Sequence, residues 1–229
     1  FISTDAQGLL FDRKGGGTIP HAAIACFLGD TVKTTLAFAH IIPPEVHRVA
    51  LVDFDNDCVN TSVAVAKELF SHYSRLIHSK PSEAEKYKLF GVRLDTSAAL
   101  RDVSVPNTGN PKDDHGVNPT LVRLVREGLD SGWKTWELSP DETLLAKDYC
   151  DSVKIVVSGG FNKNKIQRFE EENVPVDIYA VGSAAFDNHG PTVTDFTADV
   201  VRVKLDGNWV DMAKVGRQAN QNPKLKRVW

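Results

Sequence analysis

The sequence predicts an α/β fold built as an incomplete or modified (β/α) barrel with parallel strands. Three observations lead there. Short apolar, β-branched runs recur along the chain at 48–54, 90–94, 154–158 and 177–181. Their apolarity is continuous rather than alternating, as in strands covered on both faces. Each run leads through a polar or glycine-rich turn into an amphipathic stretch, and repeated strand–helix alternation defines the α/β class. A closed eight-stranded barrel typically takes about 250 residues. With 229 residues and only these four clear runs, an incomplete barrel is expected, as a single domain.

The elements follow in order. Gly15-Gly16-Gly17-Thr18-Ile19-Pro20-His21 reads as a flexible turn entering a helix, with Pro20 at an early helical position and His21 in the first turn. After the first strand, Val59, Val63, Ala66, Phe70, Tyr73 and Ile77 fall on one helical face. Asn118-Pro119 is a helix start, and Leu121, Val122, Val125 and Leu129 supply its buried stripe. Asn162 is placed to cap a further helix carrying Ile166 and Phe169, which Val174-Pro175 ends. Two segments leave this rhythm. Residues 79–89 carry Pro81 and dense charge, and 103–116 hold Pro106, Gly109, Asn110 and Pro111, a composition for a long exposed loop.

Composition narrows the function classes. The chain is 41% hydrophobic and 25% charged with a formal net charge of −3, which gives no electrostatic reason to expect nucleic acid or an anionic membrane. No apolar run reaches the ~20 residues of a membrane span. Cys26, Cys58 and Cys150 are scattered, without metal-ligand spacing, and suggest a reduced cytoplasmic protein with buried thiols. The chain begins at Phe1 rather than Met, so a fragment of a longer protein is expected. Walker loops, GxGxxG fingerprints and GxSxG elbows do not occur.

Candidate chemistry collects at the C-terminal ends of the expected strands, where α/β folds bind ligands. Ser158-Gly159-Gly160 and Gly182-Ser183 follow successive strands. Glycines there let backbone N–H groups approach an anion and feed it to a helix N-terminus; a steric role in turns is the plainer alternative. Asp53 and Asp95 are placed for Mg²⁺ or sugar hydroxyls, since Mg²⁺ on substrate phosphates takes one or two protein carboxylates. Arg93 could fork onto a phosphate or carboxylate, or Arg93 and Asp95 could form a strand-end ion pair. His21 lies near helix-start N–H groups that favour a neutral, nucleophilic ring; the alternative is a structural hydrogen bond.

Taken together, the motifs resemble a known family. Gly17-Thr18-Ile19-Pro20-His21-Ala22, Leu51-Val52-Asp53-Phe54-Asp55-Asn56-Asp57, Gly91-Val92-Arg93-Leu94-Asp95-Thr96-Ser97, Val157-Ser158-Gly159-Gly160-Phe161-Asn162 and Val181-Gly182-Ser183 occur in that order. Asp195-Phe196-Thr197-Ala198-Asp199-Val200-Val201 and Ala213-Lys214-Val215-Gly216-Arg217 follow. The set resembles the nicotinate phosphoribosyltransferase family, among the type II phosphoribosyltransferases, over nearly the whole chain.

The resemblance implies formation of nicotinate mononucleotide and pyrophosphate from nicotinate and phosphoribosyl pyrophosphate, with Mg²⁺, in NAD biosynthesis. ATP is an optional co-substrate. It implies that His21 accepts a phosphoryl group from ATP, with Thr18 beside it, and that Asp53 stands at the pyrophosphate and Mg²⁺ end. Arg93 and Asp95 would contact the base and ribose, while Ser158, Gly159, Gly160, Gly182 and Ser183 would grip the 5′-phosphate. Lys214 sits near the site in some relatives. The implied assembly is a homodimer or larger, because the family's N-terminal domain, whose tyrosine stacks on nicotinate in the neighbouring subunit, has no counterpart in these residues. Three departures stand out. Thr96-Ser97 replaces the common Ser-Gly, Ala22 follows His21 where ATP-coupled members often carry Glu, and 132–149 is longer than the usual connection. Quinolinate phosphoribosyltransferase and a non-catalytic phosphate-binding paralogue or subunit are the alternatives.

Overall fold

The computed structural model describes residues 5–12, 15, 19–186 and 198–219. A single-turn helix α1 (Asp5–Gly8) precedes α2 (His21–Cys26) and α3 (Thr31–Ile41). Strand β1 (Arg48–Leu51) then leads into the long α4 (Cys58–Leu76), the short α5 (Pro81–Ala84) and β2 (Leu89–Leu94). The β2–β3 connection holds α6 (Pro111–Asp114), α7 (Pro119–Gly132) and α8 (Pro140–Ser152). Strand β3 (Lys154–Val157), α9 (Lys163–Glu171) and β4 (Ile178–Tyr179) follow, and β5 (Arg202–Leu205) and β6 (Asn208–Asp211) form a hairpin.

The sheet β1-β2-β3-β4 is parallel throughout, and its order follows the chain. A doubly wound sheet would reverse direction at a switch point; this one does not, and among the described residues it does not close. The incomplete-barrel expectation therefore holds. Three expected strands run beyond their observed ends, where single backbone hydrogen bonds carry the pairing on: Val52 N donates to Arg93 O (3.1 Å), Ser158 N to Leu94 O (2.9 Å) and Ala180 N to Val157 O (2.8 Å).

Side chains of alternate strand residues leave the sheet on opposite faces. Ala50, Val52, Val92, Leu94, Ile155 and Val157 join the main core with the stripes of α4, α7 and α8. On the other face, Leu51 packs with Ile24, Ala25 and Phe54 in a second core, which Val200, Val203 and Met212 cover. Arg93 is in register with Leu51 and Val156, so it belongs to this second face.

Local signals set the helices. Asn118 accepts from Leu121 N at 2.9 Å and Pro119 occupies the first turn of α7; its buried stripe is the expected one. Asn162 caps α9 by accepting from Lys165 N at 3.0 Å. Pro20 lies one residue before α2 rather than inside it. The lengthened 132–149 segment holds a 3-10 turn and the start of α8, fixed by a capping box between Ser139 and Glu142. The 79–89 segment forms α5 and a 3-10 turn.

The 103–116 segment is largely exposed as expected, with 106–113 all at the surface, but it is anchored: Arg101 and His115 bridge its base, and Val105 and Asp114 are buried. Asp114 accepts from Thr108 N (2.9 Å) and Thr108 Oγ1 (3.1 Å), which pins the loop from inside. One expectation needs correcting: not all thiols are buried, since Cys26 is exposed at the end of the short α2.

Candidate active site

Asp53 follows β1 by two residues, and its side chain has no exposed surface. Because an ionised carboxylate only accepts hydrogen bonds, His21 donates its Nε2–H to Asp53 Oδ1 at 2.9 Å. Asp53 Oδ2 forms an ion pair with Lys214 Nζ, and the same ammonium donates to the backbone oxygen of Asp95 at 2.9 Å. Burial alone would raise the Asp53 carboxyl. The His21 hydrogen bond and the Lys214 charge together outweigh it and hold the group below the usual carboxylate range.

A second cluster stands on the neighbouring strand ends. Arg93 donates to Ile19 O at 3.0 Å and to Ser158 Oγ at 3.2 Å. Ser158 in turn donates to Asp95 Oδ1 at 2.7 Å, and Arg93 faces Asp95 Oδ2 at 3.8 Å. Asp95, with a side chain 27% exposed, is the carboxylate open to a ligand. The two clusters meet: one ligand atom each from His21, Asp53 and Asp95 lies within 4.8 Å of the others.

Gly159 and Gly160 follow β3 with φ of +87° and +72°, the left-handed region that glycine adopts without steric cost. A Cβ on Gly159 would lie 3.4 Å from Asp95 Oδ1, whereas one on Gly160 would meet open space. These turns lead into the capped N-terminus of α9. Lys165, in its first turn, points Nζ back toward Gly159 O (3.4 Å) and over the Phe161 ring at 4.2 Å from its centroid. Burial and then Arg168 lower its pKa. Gly182 and Ser183 occupy the equivalent place after β4 and are exposed. Among the described residues no hydrogen bond ties them to the His21, Asp53 and Asp95 cluster. Thr18 lies outside the described residues.

Most of the expected set thus meets at one end of the sheet: His21, Asp53, Arg93, Asp95, Ser158 and Gly159. Lys165 was not anticipated, although a lysine three residues after an N-cap on a glycine turn is a readable cation signal. Thr96 and Asp102 were also missed. They are buried beneath the site, where Asp102 accepts from Cys58 N at 2.9 Å and Thr96 lies 3.6 Å from Cys58 Sγ.

Comparison with family models and with curated proteins finds no match. Among solved structures, the chain is similar to a nicotinate-nucleotide pyrophosphorylase from Pyrococcus furiosus, with 28% identity and a TM-score of 0.49. The similarity covers 96% of this chain and 42% of that one, so the chain spans less than half of that protein's length.

Proposed function

We propose that this chain forms the phosphate-binding part of a pyridine-carboxylate phosphoribosyltransferase, which joins nicotinate or quinolinate to the ribose of phosphoribosyl pyrophosphate. The observation that carries the reading is the meeting of His21, Asp53, Arg93, Asp95 and Ser158 at the strand ends. These residues come from separate motifs that resemble one enzyme family.

In this reaction a bond forms between the ring nitrogen and C1′ while the bond from C1′ to pyrophosphate oxygen breaks. Positive charge grows on the ribose and negative charge on the leaving group. The protein's task is to position the reactants and neutralise phosphates, more than to supply a strong base. The turns after β3 and β4, with Lys165, suit the 5′-phosphate. Arg93 and Asp95 suit the base and ribose hydroxyls. Mg²⁺ would neutralise pyrophosphate charge, and Asp95 is the accessible carboxylate for it, while Asp53 is enclosed by His21 and Lys214. With the Nε2 proton of His21 directed at Asp53, Nδ1 keeps the free lone pair. A phosphoryl group from ATP would be accepted there.

Quinolinate stands level with nicotinate for a specific reason. Arg93 is the cation on the base side for either acid, and with the Gly159 turn and Lys165 on the phosphate side the site holds nothing that separates one carboxylate from two. The deciding experiment detects mononucleotide by chromatography after incubation with phosphoribosyl pyrophosphate and Mg²⁺. Nicotinate, nicotinamide and quinolinate are supplied separately, with and without ATP. Product from one acid and not from nicotinamide is the expected result and identifies the substrate. No product from any base, alone or with an added N-terminal partner, would overturn the reading. The His21→Ala variant is expected to lose ATP stimulation and keep basal synthesis; equal loss with and without ATP would remove the phosphohistidine role.

A further inference from the structure

Lys214 is 4% exposed, and a buried ammonium persists only where it is paired and hydrogen-bonded. Its Nζ bridges the Asp53 carboxylate and the Asp95 carbonyl. This is also where an imidazole and two carboxylates converge within 4.8 Å, a donor set that would otherwise suit a divalent cation.

The surrounding chain holds the ammonium in place. Val215 N donates to Phe54 O and Arg217 N to Lys214 O, each at 2.9 Å. Arg217 Nε pairs with Asp199 at 2.8 Å. Gly216 has φ +83°, and a Cβ there would lie 2.6 Å from Leu100 Cδ1, so this turn packs closely against the β2–β3 connection. Lys214 is delivered by a segment fastened on both sides.

We propose that Lys214 is the resident cation of this centre. Its ammonium takes the charge of the Asp53 carboxylate that a metal ion would otherwise use, and leaves the Asp95 carboxylate free of it. Asp53 is then a positioning residue that orients His21, and not a metal ligand. Asp95 alone is left to meet Mg²⁺ arriving with pyrophosphate. A divalent ion beside Asp53 would face the Lys214 charge at close range, where repulsion in a poorly solvated site is strong.

The test uses the full chain without phosphoribosyl pyrophosphate and follows the free-ion paramagnetic resonance signal of Mn²⁺. Wild type is expected to leave the signal unchanged. Lys214→Ala is expected to take up one Mn²⁺ per chain, with binding at least about tenfold tighter than wild type, and adding Asp53→Asn abolishes the uptake. Wild-type uptake that Asp53→Asn removes would overturn the proposal, as would a folded Lys214→Ala that binds no Mn²⁺. Should Lys214→Ala fail to fold, wild type against Asp53→Asn decides alone. The readout needs no turnover, so its result is separate from that of the proposed phosphoribosyl transfer.

Discussion

At the residue scale, Asp53 is where burial and charge meet most closely. Its charge is fully enclosed and answered by His21 and Lys214. Removing one partner of a buried pair leaves the other uncompensated, at about 3–5 kcal/mol. Asp53→Asn is therefore expected to lower unfolding stability by that order at neutral pH, measured by urea denaturation. The pH dependence has a definite sign. The folded carboxyl titrates below its ordinary value of roughly 3.9, so its contribution is complete above that value and disappears as pH falls through the folded one. Wild type and variant should differ constantly near neutrality, and the gap should close only as pH falls through the lowered pKa of the folded carboxyl. A gap that persists into stronger acid would show that the loss is steric. Gly182 is the opposite case, with open space around its Cβ position. Gly182→Val should leave stability within about 0.5 kcal/mol while weakening phosphoribosyl pyrophosphate binding, read by calorimetry. Unchanged affinity would remove this turn from the phosphate site.

At the element scale, the packing of α4 on α7 depends on two glycines. A Cβ on Gly128 would lie 2.9 Å from Val59 Cγ1, and one on Gly132 2.8 Å from Val63 Cγ1. Valine in a helix has essentially one side-chain rotamer, so the neighbour has little room to give. In a free helix Gly→Ala gains about 1 kcal/mol, but overpacking a close interface costs about 1–3 kcal/mol. Gly132→Ala is expected to be net destabilising by about 1 kcal/mol in thermal or urea unfolding, and a stabilised variant would mean that the helices can separate freely. Much of this layer was legible in the sequence. The α7 face and the caps at Asn118 and Asn162 are local signals, whereas α4 buries Cys58, Ser62, Val65 and Leu69 beside the expected Ala66 and Phe70. Helix α3 was not legible, because its buried residues are largely threonine and alanine, Thr31, Thr34, Thr35 and Ala39, which draw no apolar stripe. The Ser139 and Glu142 box announces α8 in retrospect.

At the scale of the whole molecule, what the sequence concealed is long-range. Asp53, Arg93 and Asp95 were readable because each sits at a strand end, and His21 because a glycine-rich turn leads into the helix it opens. Lys214 was placed near the site only by resemblance, because its 119-residue separation from Asp95 gives spacing nothing to read, and the β5–β6 hairpin, despite its Asp206-Gly207 turn, carries largely exposed side chains. Yet the 198–219 segment closes the second core and delivers Lys214, while the main core of α4, α7, α8 and the sheet is built without it. A chain ended after Thr197 should then keep a cooperative unfolding transition, since its principal core is untouched. Its midpoint should fall, because Ile24, Leu51 and Phe54 lose the cover of Val200, Val203 and Met212 and Asp53 loses its ammonium. Circular dichroism through a urea titration checks both points, and mononucleotide formation should vanish with the truncation. A truncated chain that retains full stability would show that the second core contributes nothing to folding. Loss of the cooperative transition altogether would show that the two cores fold as one unit, with the covering segment required for both.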